Sequence, residues 1–224
     1  MKKVKVATVG LCALTMVGMG CSTKAGTGAL IGTGSGTAVG ALIGALAGNT
    51  AVGAAVGAGA GALIGKHMDK VAAETAAQVK NGKVEEVTDA NGLKAVKVTF
   101  DNGILFPVGK YALQAAAKNE LSKFSNVLKN NADLQVDIQG YASSDGSNEV
   151  NQVLSNNRAN SVKAYLVNTC GVPSSQIKSA RGFGETNLIT NADGTENVKA
   201  SRRVEVYLYA SQAMIDKANA GKLN

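Results

Sequence analysis

The sequence has few of the residues that catalytic and metal sites use. It contains no tryptophan, aromatic residues make up 4% of it, and its one histidine, His67, stands apart from any cysteine pair or carboxylate cluster. A surface position is therefore a better reading of His67 than a metal ligand. The region after residue 67 also lacks a G-x-S-x-G motif and a phosphate-binding loop. We expect a protein that is not an enzyme and that has no catalytic residues, no metal site and no cofactor.

Charge is unevenly distributed, because residues 25–65 contain no charged side chain. The formal net charge is +7, and three of the lysines lie within the first five residues. The remaining basic residues form neither an arginine-rich stripe nor a basic run, so nucleic acid is not an expected partner.

The N-terminal segment "MKKVKVATVGLCALTMVGMGC" has a basic start, an apolar run and small residues before a cysteine. It resembles a bacterial lipoprotein signal, with residues 1–20 removed and residues 21–27 forming a lipidated N-terminus. Cys21 is the predicted site of acylation, which includes palmitate, and it would anchor the chain to outer-membrane lipid. The alternative is a plain secretory signal with an incidental cysteine. Loss of Cys12 with the signal would leave Cys170 without a disulfide partner.

A glycine ladder follows, in which the spacing is four residues except for one step of five across Asn49-Thr50. A spacing of four places the glycines on one helix face, and such faces let helices approach closely in a bilayer. We predict a glycine-zipper helical hairpin over residues 28–66, which resembles those of envelope lipoproteins. It either inserts into the membrane or packs against copies of itself at the surface, so a homo-oligomer is a candidate assembly. The glycines are residues 28, 32, 36, 40, 44, 48, 53, 57, 61 and 65.

The rest of the chain has the patterns of an ordinary soluble domain. We predict a helical linker over residues 67–83 that lifts the domain off the membrane, a domain over residues 84–210 and a C-terminal tail over 211–224. Within the domain, Asn91-Gly92 predicts a hairpin turn, two amphipathic helices follow, and "LQVDIQG" alternates as a strand. The fold class is α+β, with two main helices on one face of a mixed β-sheet. We expect the second helix to bury Val150, Leu154, Val162, Leu166 and Cys170.

The later motifs resemble the OmpA C-terminal-like domain, which peptidoglycan-associated lipoproteins also contain. The family pattern is a strand-end Gly-His/Tyr-Thr-Asp, then Gly, Asn, Leu-Ser and Arg-Ala, and later Gly-x-Gly-Glu and Asn-Arg-Arg-Val. The matching residues here are Gly140, Tyr141, Gly146, Asn151, Leu154, Ser155, Arg158, Ala159, Gly182, Gly184, Glu185, Arg202, Arg203 and Val204.

The resemblance implies that the domain binds the peptidoglycan stem peptide at its diaminopimelate end. Arg158 aligns with the family arginine that grips a carboxylate. Ser143 stands at the usual aspartate position, and Asp145 is either a substitute for that carboxylate or a turn residue. The expected binding residues are Arg158, Ser143, Asp145, Asn151, Ala142 and Leu154, whereas Arg202 and Arg203 are expected to brace the sheet and loops.

The whole chain thus resembles an outer-membrane glycine-zipper lipoprotein that tethers the membrane to peptidoglycan, with its domain facing the periplasm. One alternative is a self-associating assembly factor whose domain binds another protein or holds peptidoglycan only weakly. Another is display on the cell surface. The sequence "STKAG" after Cys21 lacks an acidic cluster that would act as an export tag, which favours the periplasmic side.

Overall fold

The computed structural model describes residues 56–89 and 91–223, so the predicted signal peptide, Cys21 and most of the glycine ladder lie outside the described residues. Five strands form one sheet: β1 (Gly82–Thr88), β2 (Lys94–Asp101), β3 (Leu134–Gly140), β4 (Ile177–Gly182) and β5 (Arg203–Ala210). Their order in the sheet is β1-β2-β5-β3-β4. Neighbouring strands are antiparallel except for β3 and β4, which are parallel.

In the described part of the chain, six α-helices accompany the sheet. They are α1 (Ala58–Gln78), α2 (Asn102–Leu105), α3 (Ala115–Asn130), α4 (Asn148–Ala164), α5 (Val198–Ser201) and α6 (Gln212–Asn219). A π-helical turn, Tyr165–Thr169, continues α4, and a 3-10 turn, Ser174–Gln176, leads into β4. Helix α4 begins after Ser147, whose side chain accepts a hydrogen bond from the backbone N–H of Val150. This cap satisfies one of the free N–H groups at the helix start.

The main core lies between the helices and one face of the sheet. Alternation along β5 places Val204, Val206 and Leu208 in this core, together with the apolar faces of α1, α3, α4 and α6. The opposite face carries a separate cluster that includes Tyr207 and Tyr209. The predicted α+β class, with helices on one face of a mixed sheet, is confirmed. The hairpin predicted at Asn91-Gly92 joins β1 to β2, and Gly92 has a φ of 78° there.

Helix α4 lies unusually close to the ends of β3 and β4, and glycine makes this possible. A Cβ atom at Gly140 would overlap the carbonyl oxygen of Ser155, and one at Gly182 would overlap the backbone nitrogen of Asn156. Both obstacles are backbone atoms of α4 and cannot rotate away. The two glycines therefore determine the distance between α4 and the sheet. They also determine the position of Arg158, which lies less than one helical turn after Ser155 and Asn156.

Helix α1 corrects the predicted role of residues 67–83 as a linker that holds the domain away from the membrane. It is one continuous helix across the predicted boundary at residue 66, and it packs onto the domain. Ile64, Met68 and Val71 lie fully buried in the main core at helical spacing. The backbone N–H groups of Lys80 and Asn81, just after the helix, donate to the carboxylate of Glu120 at 2.8 and 3.2 Å. The apolar stripe on α1 is what holds it against the domain.

Two further expectations differ from the structure. Residues 211–224, predicted as a tail, contain helix α6, whose Met214 and Ile215 are buried in the main core. The prediction that α4 buries Val150 and Cys170 is also wrong. Val150 is 61% exposed, and Cys170 is only partly buried. Val150 lies in the first turn of α4, beyond the edge of the sheet, so its place in the apolar repeat does not bring it to the core.

Candidate ligand-binding cavity at the carboxyl end of strand β3

A cavity of about 490 Å³ opens where β3 ends and α4 begins. Four segments line it: the end of β2 with α2 and the turn after it, the loop after β3, the first two thirds of α4, and α5 with the residue after it. The lining residues are Asp101, Asn102, Gly103, Phe106, Val108, Gly109, Ala142, Ser143, Asp145, Val150, Asn151, Leu154, Arg158, Val198, Lys199 and Arg202. All six binding residues predicted from the sequence are among them.

Arg158 is the buried cation of this cavity. Its relative exposure is 3%. Its Nε donates to the backbone carbonyl of Lys110 at 3.0 Å, and its guanidinium carbon lies 5.5 Å from the centre of the Phe106 ring. Among the described residues, no carboxylate forms an ion pair with it. A buried charge without a counter-ion is costly, and such groups concentrate at functional sites.

The electrostatic surroundings of Arg158 favour an anion. Burial, and then the nearby charge of Arg202, lower the pKa of the Arg158 guanidinium to about 10. The side chain remains a cation at neutral pH, but its charge is stabilised less than it would be in water. A carboxylate bound in the cavity would supply the missing negative charge and two acceptor oxygens.

Ser143 and Asp145 form a compact cluster with Arg202 in the cavity lining. The Nε of Arg202 donates to the Ser143 hydroxyl at 2.9 Å, and that hydroxyl donates to the Asp145 carboxylate at 3.2 Å. The Asp145 carboxylate also forms an ion pair with Arg202. Asp145 therefore does more than close its own turn, because its side chain reaches the cavity wall. Arg202 braces the loop, as expected, and it also lines the cavity, which the sequence analysis did not predict.

Asn151 holds the loop in place rather than presenting its amide to the cavity. Its Nδ2 group is shared among the carbonyls of Ser143 and Asp145 and the carboxylate of Glu185, at 2.9 to 3.1 Å. The turn itself needs Gly146, whose φ of 100° is in the left-handed region. Ala142 is buried and contributes the backbone N–H that donates to the carbonyl of Gly184 at 2.7 Å. These residues fix the shape of the wall that Ser143 and Asp145 complete.

The mouth of the cavity is apolar. Val108 is 88% exposed and Val150 is 61% exposed, and the half-buried side chain of Leu154 lies between α4 and the cavity. Val108 belongs to the turn Pro107-Val108-Gly109-Lys110, closed by a backbone hydrogen bond of 3.1 Å from Lys110 to Pro107. This turn also presents the Lys110 carbonyl to Arg158. The sequence analysis missed this contribution, because 48 residues separate the two partners.

Two other findings concern residues 56–89 and 91–223. In this part of the chain, no group of histidine, cysteine, aspartate or glutamate side chains is arranged to hold a metal ion. Over the same residues, no helix is both long enough and apolar enough to span a membrane.

Comparison with known families agrees with this architecture. The sequence model of the OmpA family matches residues 105–203, which contain the whole of α3, β3, α4 and β4 and most of the cavity lining. Residues 105–203, which are less than half of the chain, are thus similar in sequence to the OmpA family. A second family model, the YMGG-like Gly-zipper, matches residues 1–72. Both resemblances noted in the sequence are therefore confirmed.

Related proteins share only part of their length with this chain. The probable lipoprotein YiaD of Escherichia coli K12 is 33% identical over 111 residues, which are 50% of this chain and 50% of that protein. Outer membrane protein A of Serratia marcescens is 36% identical over 109 residues, 47% of this chain and 30% of that protein. The match thus spans half or less of each relative's length.

Solved structures have the same fold. A MotB-like protein from Desulfovibrio vulgaris superposes with a TM-score of 0.54 at 17% identity, covering 67% of this chain and 98% of that one. The cell wall anchor of the T6SS from Pseudomonas aeruginosa gives a TM-score of 0.50 at 21% identity, covering 64% and 97%. At these identities the likeness shows the fold alone.

Proposed function

We propose that this protein is a non-catalytic envelope lipoprotein that tethers the outer membrane to peptidoglycan. In this proposal acylated Cys21 anchors the chain in outer-membrane lipid, and the OmpA-family domain faces the periplasm. Arg158 grips a carboxylate of the diaminopimelate residue in the stem peptide. The observation that carries the proposal is Arg158 itself, a buried cation that lines a cavity and lacks a counter-ion among the described residues. The relatives named as outer membrane proteins and a lipoprotein support the location.

Sedimentation with purified peptidoglycan sacculi tests this proposal. A charge-assisted hydrogen bond contributes about 1.5 to 3 kcal/mol. We therefore expect Arg158→Ala to weaken sacculus binding by about ten- to a hundredfold. Lys118→Ala is the matched control, because it also removes one positive charge but lies exposed on α3, outside the cavity. Wild-type protein that stays in the supernatant would refute the tethering role.

A second variant separates lost binding from lost folding. Arg158→Met keeps an apolar stem against Phe106 while removing the buried charge. Because replacing a costly buried charge is often neutral or stabilising, the free energy of unfolding should be unchanged or higher. If this variant is at least as stable as the wild type but binds sacculi less tightly, the loss of binding is due to the missing guanidinium.

We also propose that the glycine ladder self-associates. Two of its glycines lie on α1 and have room for a larger side chain. A Cβ at Gly61 would come no closer than 3.9 Å to Val56, and one at Gly65 meets no described atom within 4 Å. Leucine at Gly40, Gly44 and Gly61 should prevent close helix approach. We expect these substitutions to abolish crosslinked oligomers in membranes, whereas unchanged oligomers would place the glycines outside the interface.

A further inference from the structure

The charges around the cavity are paired except for one. Three cationic side chains line it, those of Arg158, Lys199 and Arg202, together with two anionic ones, Asp101 and Asp145. Asp145 is paired with Arg202, and Asp101 lies 3.6 Å from Lys199. The uncompensated charge is that of Arg158. A ligand with one negative charge would neutralise the cavity, whereas a zwitterion would leave the cavity cationic.

Ser143 is poorly placed to receive an ammonium group, because its one remaining lone pair is buried. It is 3% exposed, and its hydroxyl accepts from Arg202 while it donates to Asp145. An ammonium needs acceptor oxygens, and a carboxylate already paired with arginine offers them less strongly. An ammonium entering here would also lie near two guanidinium groups, because Arg202 is close enough to lower the pKa of Arg158. Like charges at such range oppose binding.

The rest of the lining suits uncharged chemistry. Phe106, Val108 and Val150 give the cavity apolar surface beside the Arg158 guanidinium. Alkyl parts of a ligand fit such walls, because they have no hydrogen bonds to water to lose. The cavity therefore combines one anion site with apolar contacts and lacks a free carboxylate.

We infer that the cavity selects a carboxylate whose neighbouring nitrogen is acylated and uncharged. This inference rests on the proposed function, since it specifies which carboxylate of peptidoglycan Arg158 binds. Several carboxylates of peptidoglycan have this chemistry, and two of them belong to the end of the stem or to its crosslink. One is the carboxyl end of a stem peptide, where the adjacent nitrogen is in a peptide bond. The other is the side-chain end of a diaminopimelate whose amine has been acylated in a crosslink. By this inference the protein binds crosslinked peptidoglycan as well as stem peptides that are not crosslinked.

Calorimetric titration of the full-length protein in detergent tests the inference. The probes are a stem tripeptide ending in diaminopimelate and three derivatives, with the side-chain amine acetylated, the side-chain carboxylate amidated, or the terminal carboxylate amidated. We expect acetylation to leave the dissociation constant unchanged within about threefold or to improve it. We expect one of the two amidations to weaken binding by about tenfold or more. The carboxylate whose amidation has this effect is the one that contacts Arg158.

Ser143→Asp provides the reciprocal test. It adds a second carboxylate that competes with Asp145 for Arg202, so one of the two becomes available to an ammonium. This variant should prefer the free-amine tripeptide to the acetylated one by about tenfold. Asn157→Asp is the matched control, because it adds the same charge on α4 outside the cavity lining, and it should show no such preference.

The outcomes separate the inference from the proposed function. Wild-type binding that falls about tenfold on acetylation would overturn the inference while leaving the tether in place. Sedimentation with sacculi but no binding of any tripeptide would also overturn it, because the wall contact would then lie outside this cavity. Failure of both assays would refute the tether and the inference together.

Discussion

Arg203→Met is expected to lower the free energy of unfolding by about 3 to 5 kcal/mol, because it leaves a buried carboxylate without its counter-ion. Arg203 and Glu205 have side-chain exposures of 4% and 7%, and the Nε of Arg203 donates to the Glu205 carboxylate at 2.7 Å. The Nη1 of Arg203 also donates to the carbonyls of Asn187 and Ser201, and the guanidinium stacks 4.0 Å from the centre of the Tyr141 ring. Urea unfolding followed by circular dichroism measures the loss.

The double variant Arg203→Met with Glu205→Leu is the control for this prediction. Tyr207 also donates to Glu205, at 2.6 Å, and burial raises the pKa of Tyr207, so its hydroxyl stays a donor. One neutral donor does not replace a guanidinium. Replacing both charged partners by apolar groups removes the uncompensated carboxylate, so most of the stability should return. A single variant that loses less than about 1 kcal/mol would show that water reaches the pair.

Gly182→Ala is expected to destabilise the domain by about 3 kcal/mol, at the upper end of the usual cost of overpacking. The new methyl group would overlap backbone atoms of Asn156 in α4, which have no rotamer to relieve the contact. The helix must move away from the sheet, and Arg158 moves with it. We therefore expect weaker sacculus binding by the molecules that remain folded, measured below the melting temperature.

Gly65→Ala is the matched control. This glycine lies in α1, where a Cβ meets no described atom within 4 Å. Alanine is favoured over glycine inside a helix by about 1 kcal/mol, so this variant should be as stable as the wild type or more stable. Equal stability of Gly182→Ala and Gly65→Ala would contradict this prediction. It would show that the close packing of α4 on the sheet does not depend on glycine at the strand ends.

Local patterns in the sequence were sufficient to predict much of the fold. The hairpin at Asn91-Gly92 needs only a turn residue that tolerates positive φ, and Gly92 provides it. The buried face of α3 follows from the spacing of Leu121, Phe124 and Leu128, all of which lie in the core. These features depend on neighbours within a few residues, which a single sequence displays directly.

Features that depend on distant partners were not predictable in this way. The alanine and glycine content of α1 is typical of a linker. Only the contacts of this helix with the domain show that Met68 is a core residue. Arg202 and Arg203 are adjacent, but only Arg203 belongs to β5, whereas Arg202 follows α5. Which of the two would line a cavity depends on the loop that carries Asp145, 57 residues earlier.

Most of the candidate site was visible in the sequence as residue types, but its charge balance was not. The sequence identified Arg158, Ser143 and Asp145 as members of one loop and helix. It could not show that Asp145 is paired with Arg202 while Arg158 has no such partner among the described residues. That difference depends on side-chain positions from three separate segments, and it determines which ligand charge the cavity favours.

The packing of α1 gives the domain a fixed polarity. The start of the helix meets α6, where the N–H of Gly57 donates to the side chain of Asn219, and α6 in turn reaches Asp133 before β3 through Lys217. The cavity lies past the other end of β3, roughly 20 Å away along the strand. Because α1 is buried against the domain, the described helix and the sheet form one packed unit. The start of α1 and the mouth of the cavity therefore lie toward opposite ends of β3, so the chain enters the domain on the side away from the candidate site.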